Sequence, residues 1–308
     1  MPMSCAKVIV NPVAGGGSIR RLWPRVCSQL QDTGLSFDHE FTKSPGHAIE
    51  IARQAVATGY QYLIAVGGDG TVNEVANGIL GSAHSDDTVL GIISTGTACG
   101  FARSLGTQCN IAGPSTPLGS QRRTIIDACL VEYQDHGRQL RRFFINEASI
   151  GFGAAVVSAW ERLPNRFGHT VNCKLRTAAG CAALLTHRNK RVRLRIDNES
   201  EDICACYLVV ANGQYFADGM QVAPHATLDD GLMNLVTIGD VSKPELMRIV
   251  PTAYYGSHLR HPKIKERKAS TIEVECVERL LIEADGEILG ECPAVFRVIP
   301  SALTVMAM

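Results

Sequence analysis

One aspartate, Asp69, stands among three glycines in the sequence GGDG at residues 67–70. Residues 63–66 before it are apolar, and residues 72–79 after it carry apolar side chains at helical spacing. The pattern predicts a buried strand, a tight turn and a helix. Glycines let a ligand approach the backbone closely, and the N–H groups at a helix start favour phosphate.

Asp69 falls where the phosphate oxygens of such a ligand would lie. A bare carboxylate would repel them, so its presence indicates that it holds Mg²⁺ or accepts a proton from an attacking hydroxyl. A glycine-rich turn with a capping aspartate is the alternative that this short motif alone leaves open.

Two further strand ends carry similar loops. A predicted strand at residues 7–10 runs into Asn-Pro-Val-Ala and three glycines, and a helix follows from about Ile19. The spacing is not that of a Walker motif, although its N–H groups could form a phosphate nest, and Asn11 could orient the turn or touch a ligand. A strand at residues 89–93 runs into STGTACG at residues 94–100 and a short helix.

Parallel strands bring such loops to one edge of a sheet. The strand predicted at residues 37–41 adds Thr42 to that edge. Three glycine loops that converge predict a nucleotide phosphate site on an open α/β sheet much more strongly than one loop does.

The pattern changes after about residue 121, where short β-like runs separated by turns replace the alternation of strands and helices. One helical stretch is predicted among them, at about residues 171–186. The spacing favours a mostly antiparallel second domain over residues 122–299, following an α/β domain over residues 1–121.

Composition excludes several classes of protein. The 308 residues carry 30 basic and 30 acidic side chains, which argues against a general nucleic-acid binder. No apolar run reaches the roughly 18 residues of a membrane span, and the first ten residues lack the layout of a signal peptide, so we expect a cytoplasmic protein without a transmembrane segment. The 11 cysteines contain no CxxC motif and are expected to be reduced thiols in the core.

Six segments taken together resemble the diacylglycerol kinase catalytic family, which includes bacterial lipid kinases, sphingosine kinases and ceramide kinases. They occur in the family's order and span nearly the whole chain: VNPVAGGG at 10–17, GGDGTVNEVANGI at 67–79, STGTACGFARSLG at 94–106, FFINEASIGFGAAV at 143–156, VAPHATLDDGLMNLV at 222–236 and DGE at 285–287. GGDGT followed by NE also occurs in NAD kinases, but the later DDG and DGE segments favour the lipid kinases.

The resemblance implies a phosphofructokinase-like α/β domain and a β-rich domain, with the nucleotide in the cleft between them. It implies that residues 300–308 return to the first domain. It also implies the set of residues that contact ATP: Asn11, Pro12, Val13, Ala14, Gly15, Thr42, Gly67, Gly68, Asp69, Gly70, Thr71, Val72, Asn73, Glu74 and Thr97.

By the same resemblance, Asp69 is a catalytic carboxylate associated with Mg²⁺. Asp230 is the ligand of a structural Mg²⁺, beside the backbone carbonyls of Thr227 and Leu232, and such an oxygen-rich shell suits that ion. From the residues alone, the DDG at 229–231 indicates only a turn.

Asp285 and Glu287 flank a glycine after a predicted strand. In the family this pair lies beside the cleft, and the position of Glu287 is that of the proton acceptor for a lipid hydroxyl. Without the resemblance, the pattern is that of a hairpin turn.

The chain departs from the family at one place, where Cys99-Gly100 stands instead of the usual Asn-Asp. The usual aspartate helps to hold the water around Mg²⁺, so weaker or differently arranged metal binding is expected here.

Two basic stretches, at residues 188–195 and 258–268, could attract anionic lipid headgroups or could be ordinary solvated surface. The apolar residues 160–167 could line a lipid entrance or belong to the core.

The sequence therefore predicts a kinase that uses ATP and Mg²⁺ and acts on a lipid hydroxyl, of diacylglycerol or a related lipid, at a membrane surface. A kinase for a soluble acceptor, in the manner of NAD kinases, and a nucleotide-binding regulator without turnover remain as alternatives. A homodimer is left open.

Overall fold

A computed structural model of the chain describes residues 5–83, 87–94, 99–106, 122–163, 169–217 and 219–307. Its α-helices are α1 (Ile19–Asp32), α2 (His47–Ala57), α3 (Asp69–Leu80), α4 (Gly100–Ser104), α5 (Phe152–Glu161), α6 (His169–Thr186) and α7 (Lys243–Thr252). Short 3-10 helices cover Ala14–Gly17, Ala253–Tyr255 and Ser257–Arg260.

The strands of the first half are β1 (Cys5–Val10), β2 (Ser36–Phe41), β3 (Tyr62–Gly67) and β4 (Val89–Ser94). Those of the second half are β5 (Arg123–Asp135), β6 (Arg138–Phe144), β7 (Glu147–Gly151), β8 (Lys190–Ile196), β9 (Glu199–Ala205), β10 (Tyr207–Ala211), β11 (Tyr215–Phe216), β12 (Met220–Gln221), β13 (Met233–Ile238), β14 (Ile264–Ala269), β15 (Thr271–Cys276), β16 (Leu281–Ala284) and β17 (Glu287–Ala307).

The first half is a parallel sheet in the order β4-β3-β1-β2 with helices on both faces. Every residue of β3 and β4 is buried, as expected for central strands covered on both sides. The predicted parallel α/β sheet is confirmed.

Each face of this sheet has its own apolar core. Helix α1 covers one face and buries Ile19, Trp23, Val26 and Leu30 against it. Helices α2 and α3 cover the other face. A fully buried leucine or isoleucine side chain contributes roughly 1.5–3 kcal/mol, so the amphipathic faces position the loops at the carboxyl edge firmly.

The second half is built of antiparallel strands, in the order β14-β13-β10-β7-β16-β17 and, beyond β17, β15-β8-β9. A large apolar core lies between its layers, with Phe144 and Phe296 at an edge-to-face angle of 81°. The predicted antiparallel β-rich half is confirmed.

Strand β17 belongs to both halves. Its first residues pair with β16, its middle pairs with β15 and β5, and Thr304–Ala307 pair in parallel with Val89–Ile92 of β4. The two halves therefore share one continuous strand. The predicted boundary at residue 121 lies outside the described residues and stays a prediction.

Helices α5, α6 and α7 lie on the outer side of β10 and β13. Helix α6 begins two residues before the predicted helix, whereas α5 and α7 were not predicted. Helix α7 has a clear start signal, because Ser242 and Glu245 form a reciprocal capping box, with Ser242 N–H donating to Glu245 Oε2 at 2.7 Å. Reading S-x-x-E at this point of the sequence could have found it.

Candidate active site

A cavity of about 1230 Å³ opens at the carboxyl edge of the parallel sheet, between the glycine loops and the β16–β17 hairpin. Eleven of the residues that the sequence singles out line it: Asn11, Pro12, Val13, Ala14, Gly15, Thr42, Gly68, Gly70, Thr71, Glu74 and Glu287. The fold therefore brings the loops after β1, β2 and β3 together with the DGE segment.

The loop after β1 is shaped by glycines. Gly15, Gly16 and Gly17 have φ values of 57°, 67° and 83°, in the left-handed region that glycine adopts without strain. Asn11 orients the turn, since its Oδ1 accepts from Val13 N–H at 3.1 Å while its Nδ2 donates to Thr71 Oγ1 at 2.9 Å. The loop after β1 is thereby tied to the start of α3.

Helix α3 begins at the cavity wall, and its N-cap residue, Gly68, has no side chain to cap the first N–H groups. Gly67 permits the close turn, because a Cβ there would lie 2.4 Å from Thr71 Oγ1. The start of a 12-residue helix at an open cavity favours an anionic ligand. Val72 faces the core and is 1% exposed.

Asp69 does not line the cavity but joins α3 to α4. Its Oδ2 accepts from Gly100 N–H at 3.0 Å and its Oδ1 from Phe101 N–H at 3.3 Å. Burial raises the pKa of Asp69, while these two hydrogen bonds and the nearby Arg103 act in the opposite direction. The carboxylate accepts two donors and keeps lone pairs for a further partner.

The departure at residues 99–100 has a steric basis. A Cβ at Gly100 would lie 2.9 Å from the Tyr215 carbonyl oxygen and 3.4 Å from Asn146 Nδ2, so any residue larger than glycine would require a shift of the backbone.

Cys99 is buried and disulfide-bonded, so the prediction of reduced thiols is wrong at this residue. Seven described cysteines are free: Cys27, Cys129, Cys181, Cys204, Cys206, Cys276 and Cys292. Thr97, a predicted ATP contact, lies outside the described residues.

Glu74 caps the neighbouring helix α2. Its two carboxylate oxygens accept from Gly46 N–H at 2.9 Å and Ala48 N–H at 3.0 Å. A carboxylate at a helix start is favoured by the helix dipole. Glu74 therefore holds α2 and the loop after β2 against α3, at the base of the cavity.

Asn73 and Asp285 form the junction between the two halves. Asn73 Nδ2 donates to Asp285 Oδ2, and the same carboxylate accepts from the backbone N–H groups of Ile145 at 2.9 Å, Asn146 at 3.2 Å and Glu147 at 3.0 Å. Burial raises the pKa of Asp285 to about 6, against the effect of these four donors. The structure places both residues at this junction and not on the cavity wall.

Glu287 does face the cavity, with 37% of its side chain exposed. Its Oε2 accepts from Arg142 at 2.9 Å, and Arg142 also reaches Asn73 Oδ1 at 3.4 Å. The hairpin interpretation is correct as well, because Asp285 and Gly286 have φ values of 46° and 88°, as in a type I′ turn. One turn therefore sets a buried carboxylate and an exposed one two residues apart.

Three basic residues at the site were not predicted. Arg20 and Lys43 line the cavity, next to the glycine loop and to Thr42, and Arg142 pairs with Glu287. Arg20 lies in the first turn after the glycine loop and Lys43 directly follows a strand end, positions that the sequence shows. Arg142 carried no local signal, since its partner is 145 residues away.

Asp230 lies elsewhere, at the loop before β13. Its Oδ1 accepts from Leu232 N–H at 3.1 Å, and its Oδ2 is paired with the ammonium of Lys268. Thr227 lines a separate cavity of about 270 Å³. Within the described part of the chain, no three His, Cys, Asp or Glu side chains are grouped as metal ligands.

Two family models together match most of the chain. The diacylglycerol kinase catalytic domain matches residues 5–131, and the YegS C-terminal NAD kinase beta sandwich-like domain matches residues 147–307. A diacylglycerol kinase of Staphylococcus haemolyticus is 30% identical over 292 residues, which are 95% of this chain and 84% of that protein. This chain belongs to the diacylglycerol kinase catalytic family. It is accordingly a kinase.

Other relatives support the same family and the same fold. A diacylglycerol kinase of Staphylococcus carnosus is 29% identical, over 94% of this chain and 91% of that protein. A putative diacylglycerol kinase from Bacillus anthracis has the same fold, with a TM-score of 0.77 at 22% identity over 99% of this chain and 96% of that chain. Yeast NADH kinase complexed with NADH gives a TM-score of 0.53 at 11% identity, over 98% and 82%. The predicted two-part architecture of this kinase is confirmed.

Among the residues that the structure describes, none forms a helix long and apolar enough to cross a membrane.

Proposed function

We propose that the protein is an ATP- and Mg²⁺-dependent lipid kinase that transfers the γ-phosphoryl group to the hydroxyl of diacylglycerol or a related lipid. A second cavity, almost wholly apolar and about 370 Å³ in volume, carries the proposal. It lies under α5, α6 and α7, and its walls include Phe152, Trp160, Tyr207, Phe216 and Leu246. Small-molecule sites are typically about 300–1,000 Å³, and a lining whose exposed surface is almost wholly apolar suits a hydrocarbon chain.

The apolar cavity lies within reach of the predicted base. Phe152 on its wall follows β7, the five-residue strand whose first residue, Glu147, donates its N–H to Asp285. Five strand residues span about 17 Å, which an extended acyl chain can bridge. A lipid could thus place its hydrocarbon in this cavity and its hydroxyl near Glu287.

The larger cavity suits a nucleoside triphosphate. The uncapped start of α3 and the glycine loop present backbone N–H groups, and Arg20 and Lys43 add positive charge at the same wall. The related chains that are named kinases support ATP as the donor. Mg²⁺ bound with it would offset the charge of the transferring phosphoryl group. Asp69 is the residue at this edge that would hold the ion's hydration shell.

The protein's own groups would then act on the acceptor. We propose that Glu287 accepts the hydroxyl proton, because it is the carboxylate of the DGE segment that faces the cavity. Arg142, at 2.9 Å, fixes its orientation. Asp285, bound by four donors, would hold the turn that carries Glu287 and so would position it rather than exchange protons with the substrate.

The donor set at Asp230 does not fit a second Mg²⁺ as it stands, because the Lys268 ammonium occupies one carboxylate oxygen. The proposed structural Mg²⁺ site consists of Asp230 and the carbonyls of Thr227 and Leu232. Binding of the ion there requires the Lys268 side chain to move away from Asp230. No catalytic step depends on this site.

The test uses purified protein, Mg²⁺ and γ-labelled ATP with mixed micelles that contain diacylglycerol, monoacylglycerol, ceramide, sphingosine or phosphatidylglycerol. We expect one labelled lipid class. Glu287→Gln should lower turnover about 10²–10⁴-fold with ATP binding unchanged, and Asp69→Ala should abolish turnover.

Glu291→Gln is the matched control, since Glu291 lies on the same strand and pairs with Arg279. Label in a soluble acceptor, with none in any lipid, would contradict the proposal in favour of an NAD-kinase-like enzyme. ATP binding without any labelled product would favour a nucleotide-binding regulator.

A further inference from the structure

Helix α7 and the 3-10 turn after it expose an apolar face. Met247, Val250, Tyr254 and Tyr255 are 61%, 36%, 46% and 83% exposed. The intervals of three and four residues from Met247 to Tyr254 place these side chains along one side of the helical segment, next to the side that buries Leu246, Ile249 and Ala253. Contiguous exposed apolar side chains of this kind mark interaction surfaces.

This face is continuous with the apolar cavity. Met247 and Val250 are both exposed and part of the cavity wall, so the cavity opens between them and the side chains of α5 and α6. Leu185, 66% exposed at the end of α6, adjoins the same rim, because Lys243 of α7 donates to the Leu185 carbonyl. A molecule that enters the cavity beside α7 crosses this apolar rim.

The charges beside the face are positive and lack acidic partners. Neither Arg248, on α7, nor Arg260, in the last 3-10 turn, forms an ion pair with any acid of the described residues. The nearest acid on α7, Glu245, is paired with Lys263 at 3.0 Å. An anionic surface would therefore meet uncompensated positive charge here.

The basic stretches at residues 188–195 and 258–268, which could attract lipid headgroups or be ordinary solvated surface, differ in this respect apart from Arg260. The arginines of β8 share one exposed face, but most basic side chains of both stretches are paired with acids of neighbouring strands or loops. These pairs are Arg193–Asp202, Arg195–Glu273, Lys190–Glu278, Lys263–Glu245, Arg267–Glu201 and Lys268–Asp230. A neutralised surface has little attraction for anionic headgroups.

We propose that the face formed by Met247, Arg248, Val250, Tyr254 and Tyr255, the docking face, seats the protein on an anionic phospholipid bilayer. The tyrosines lie at the headgroup level, and Arg248 pairs with lipid phosphates. The lipid acceptor then passes from the bilayer directly into the apolar cavity. This inference rests on the proposed lipid kinase function, which it extends by naming the surface that takes the substrate.

Binding is measured first, without ATP, by flotation with vesicles of phosphatidylcholine alone or with about one third phosphatidylglycerol. We expect the wild-type protein to bind the anionic vesicles. Tyr254→Ser combined with Tyr255→Ser should weaken binding at least about tenfold, since the variant loses the apolar area that two aromatic rings bury in the bilayer interface. Arg248→Glu should weaken it about tenfold on anionic vesicles alone.

Matched controls come from the same chain. Val277→Ser removes an apolar side chain that is fully exposed in the turn between β15 and β16, and Arg193→Glu reverses an arginine of the paired β8 face. Both should leave vesicle binding unchanged. A loss of binding with Arg193→Glu equal to that with Arg248→Glu would assign the membrane contact to β8 and overturn the proposal.

Turnover separates this inference from the proposed function. The tyrosine variant should lose activity on acceptor lipid in vesicles, yet phosphorylate the same lipid in detergent micelles at the wild-type rate. A wild-type protein that labels lipid in micelles but does not bind anionic vesicles would refute the docking face and leave the kinase intact. A change in sedimentation from dimer to monomer in the tyrosine variant, without loss of vesicle binding, would assign the face to a second copy of the chain.

Discussion

At the scale of single residues, the site is shaped by carboxylates with distinct tasks. Asp69, Glu74 and Asp285 each accept backbone N–H groups and hold elements together, whereas Glu287 lines the cavity with 37% of its side chain exposed. A carboxylate that accepts several N–H bonds is fixed in place, and one on a cavity wall is accessible to a substrate proton. Sequence motifs name all four residues without separating these tasks.

Gly100→Asp, the change toward the family's usual residue, should destabilise the protein and should not improve Mg²⁺-dependent activity. Its Cβ would meet the Tyr215 carbonyl oxygen at 2.9 Å, and overpacking of this kind costs typically about 1–3 kcal/mol. Urea unfolding measures the loss. Gly180→Ala is the control, because its nearest neighbour is at 4.0 Å. Equal stability of Gly100→Asp and wild type would show that the backbone adjusts freely.

A buried acidic pair predicts an unusual pH dependence of stability. Glu283 Oε2 accepts from Ser149 at 2.6 Å, its Oε1 accepts from Gly286 N–H at 2.6 Å, and Oε2 of the adjacent Glu147 has no partner among the described residues. Burial, with the charges of Glu283 and Asp285, raises the pKa of Glu147 well above its usual value. Burial likewise raises the pKa of Glu283 to about 7.

A carboxyl whose pKa is raised by folding binds its proton more tightly in the native state. The free energy of unfolding should therefore fall as pH rises from about 5 to 7, by up to about 1.4 kcal/mol per pH unit for one proton. Glu283→Gln should flatten this slope, as measured by urea unfolding between pH 5 and 8. Glu273→Gln, on the surface strand β15, should leave it unchanged. A slope equal in both variants would rule out Glu283 as its source.

At the scale of elements, the helix starts and the hairpin turn decide where groups lie. The predicted strand–loop–helix units of the first half follow from local patterns, so their loops were located from the sequence. Helices α5 and α7 were missed, and they form the apolar cavity and the docking face. The capping box of Ser242 and Glu245 marks the start of α7 in the sequence, whereas α5 begins after Gly151 without a side-chain cap.

The ammonium group of Lys268, on β14, should compete with Mg²⁺ for the carboxylate of Asp230. We expect Mg²⁺ to raise the Tm of Lys268→Met more than that of the wild type, because the variant leaves the carboxylate without its ammonium partner. Lys265→Met is the control on the same strand, and it should respond as the wild type does. No Mg²⁺ response in Lys268→Met would remove Asp230 as a metal ligand.

At the scale of the whole molecule, β17 joins the two halves through one continuous strand. It pairs with β16 and β15 in the second half and with β4 in the first. The two faces of the active-site cavity are carried by these halves, so their relative position depends on this strand and on the Asn73–Asp285 junction.

Leu303→Ala should therefore lower the stability of the whole chain in a single transition. Leu303 is 2% exposed in the core of the first half, and such a truncation costs about 2–5 kcal/mol. Chemical unfolding followed by far-UV circular dichroism and by tryptophan fluorescence should give coincident curves, displaced to lower denaturant. Two separate transitions, with one unchanged, would show that the halves unfold independently.

The sequence alone determined the class of each half and the positions of the glycine loops, because these depend on periodicity and on residue types within a few positions. It also named Asp69, Asp285 and Glu287 through motifs that are contiguous in the chain. Only the tertiary structure decided which carboxylate faces the cavity, why glycine stands at residue 100, and which basic residues are neutralised. These depend on contacts such as Arg142–Glu287 and Asn73–Asp285, 145 and 212 residues apart, which form only when the chain folds.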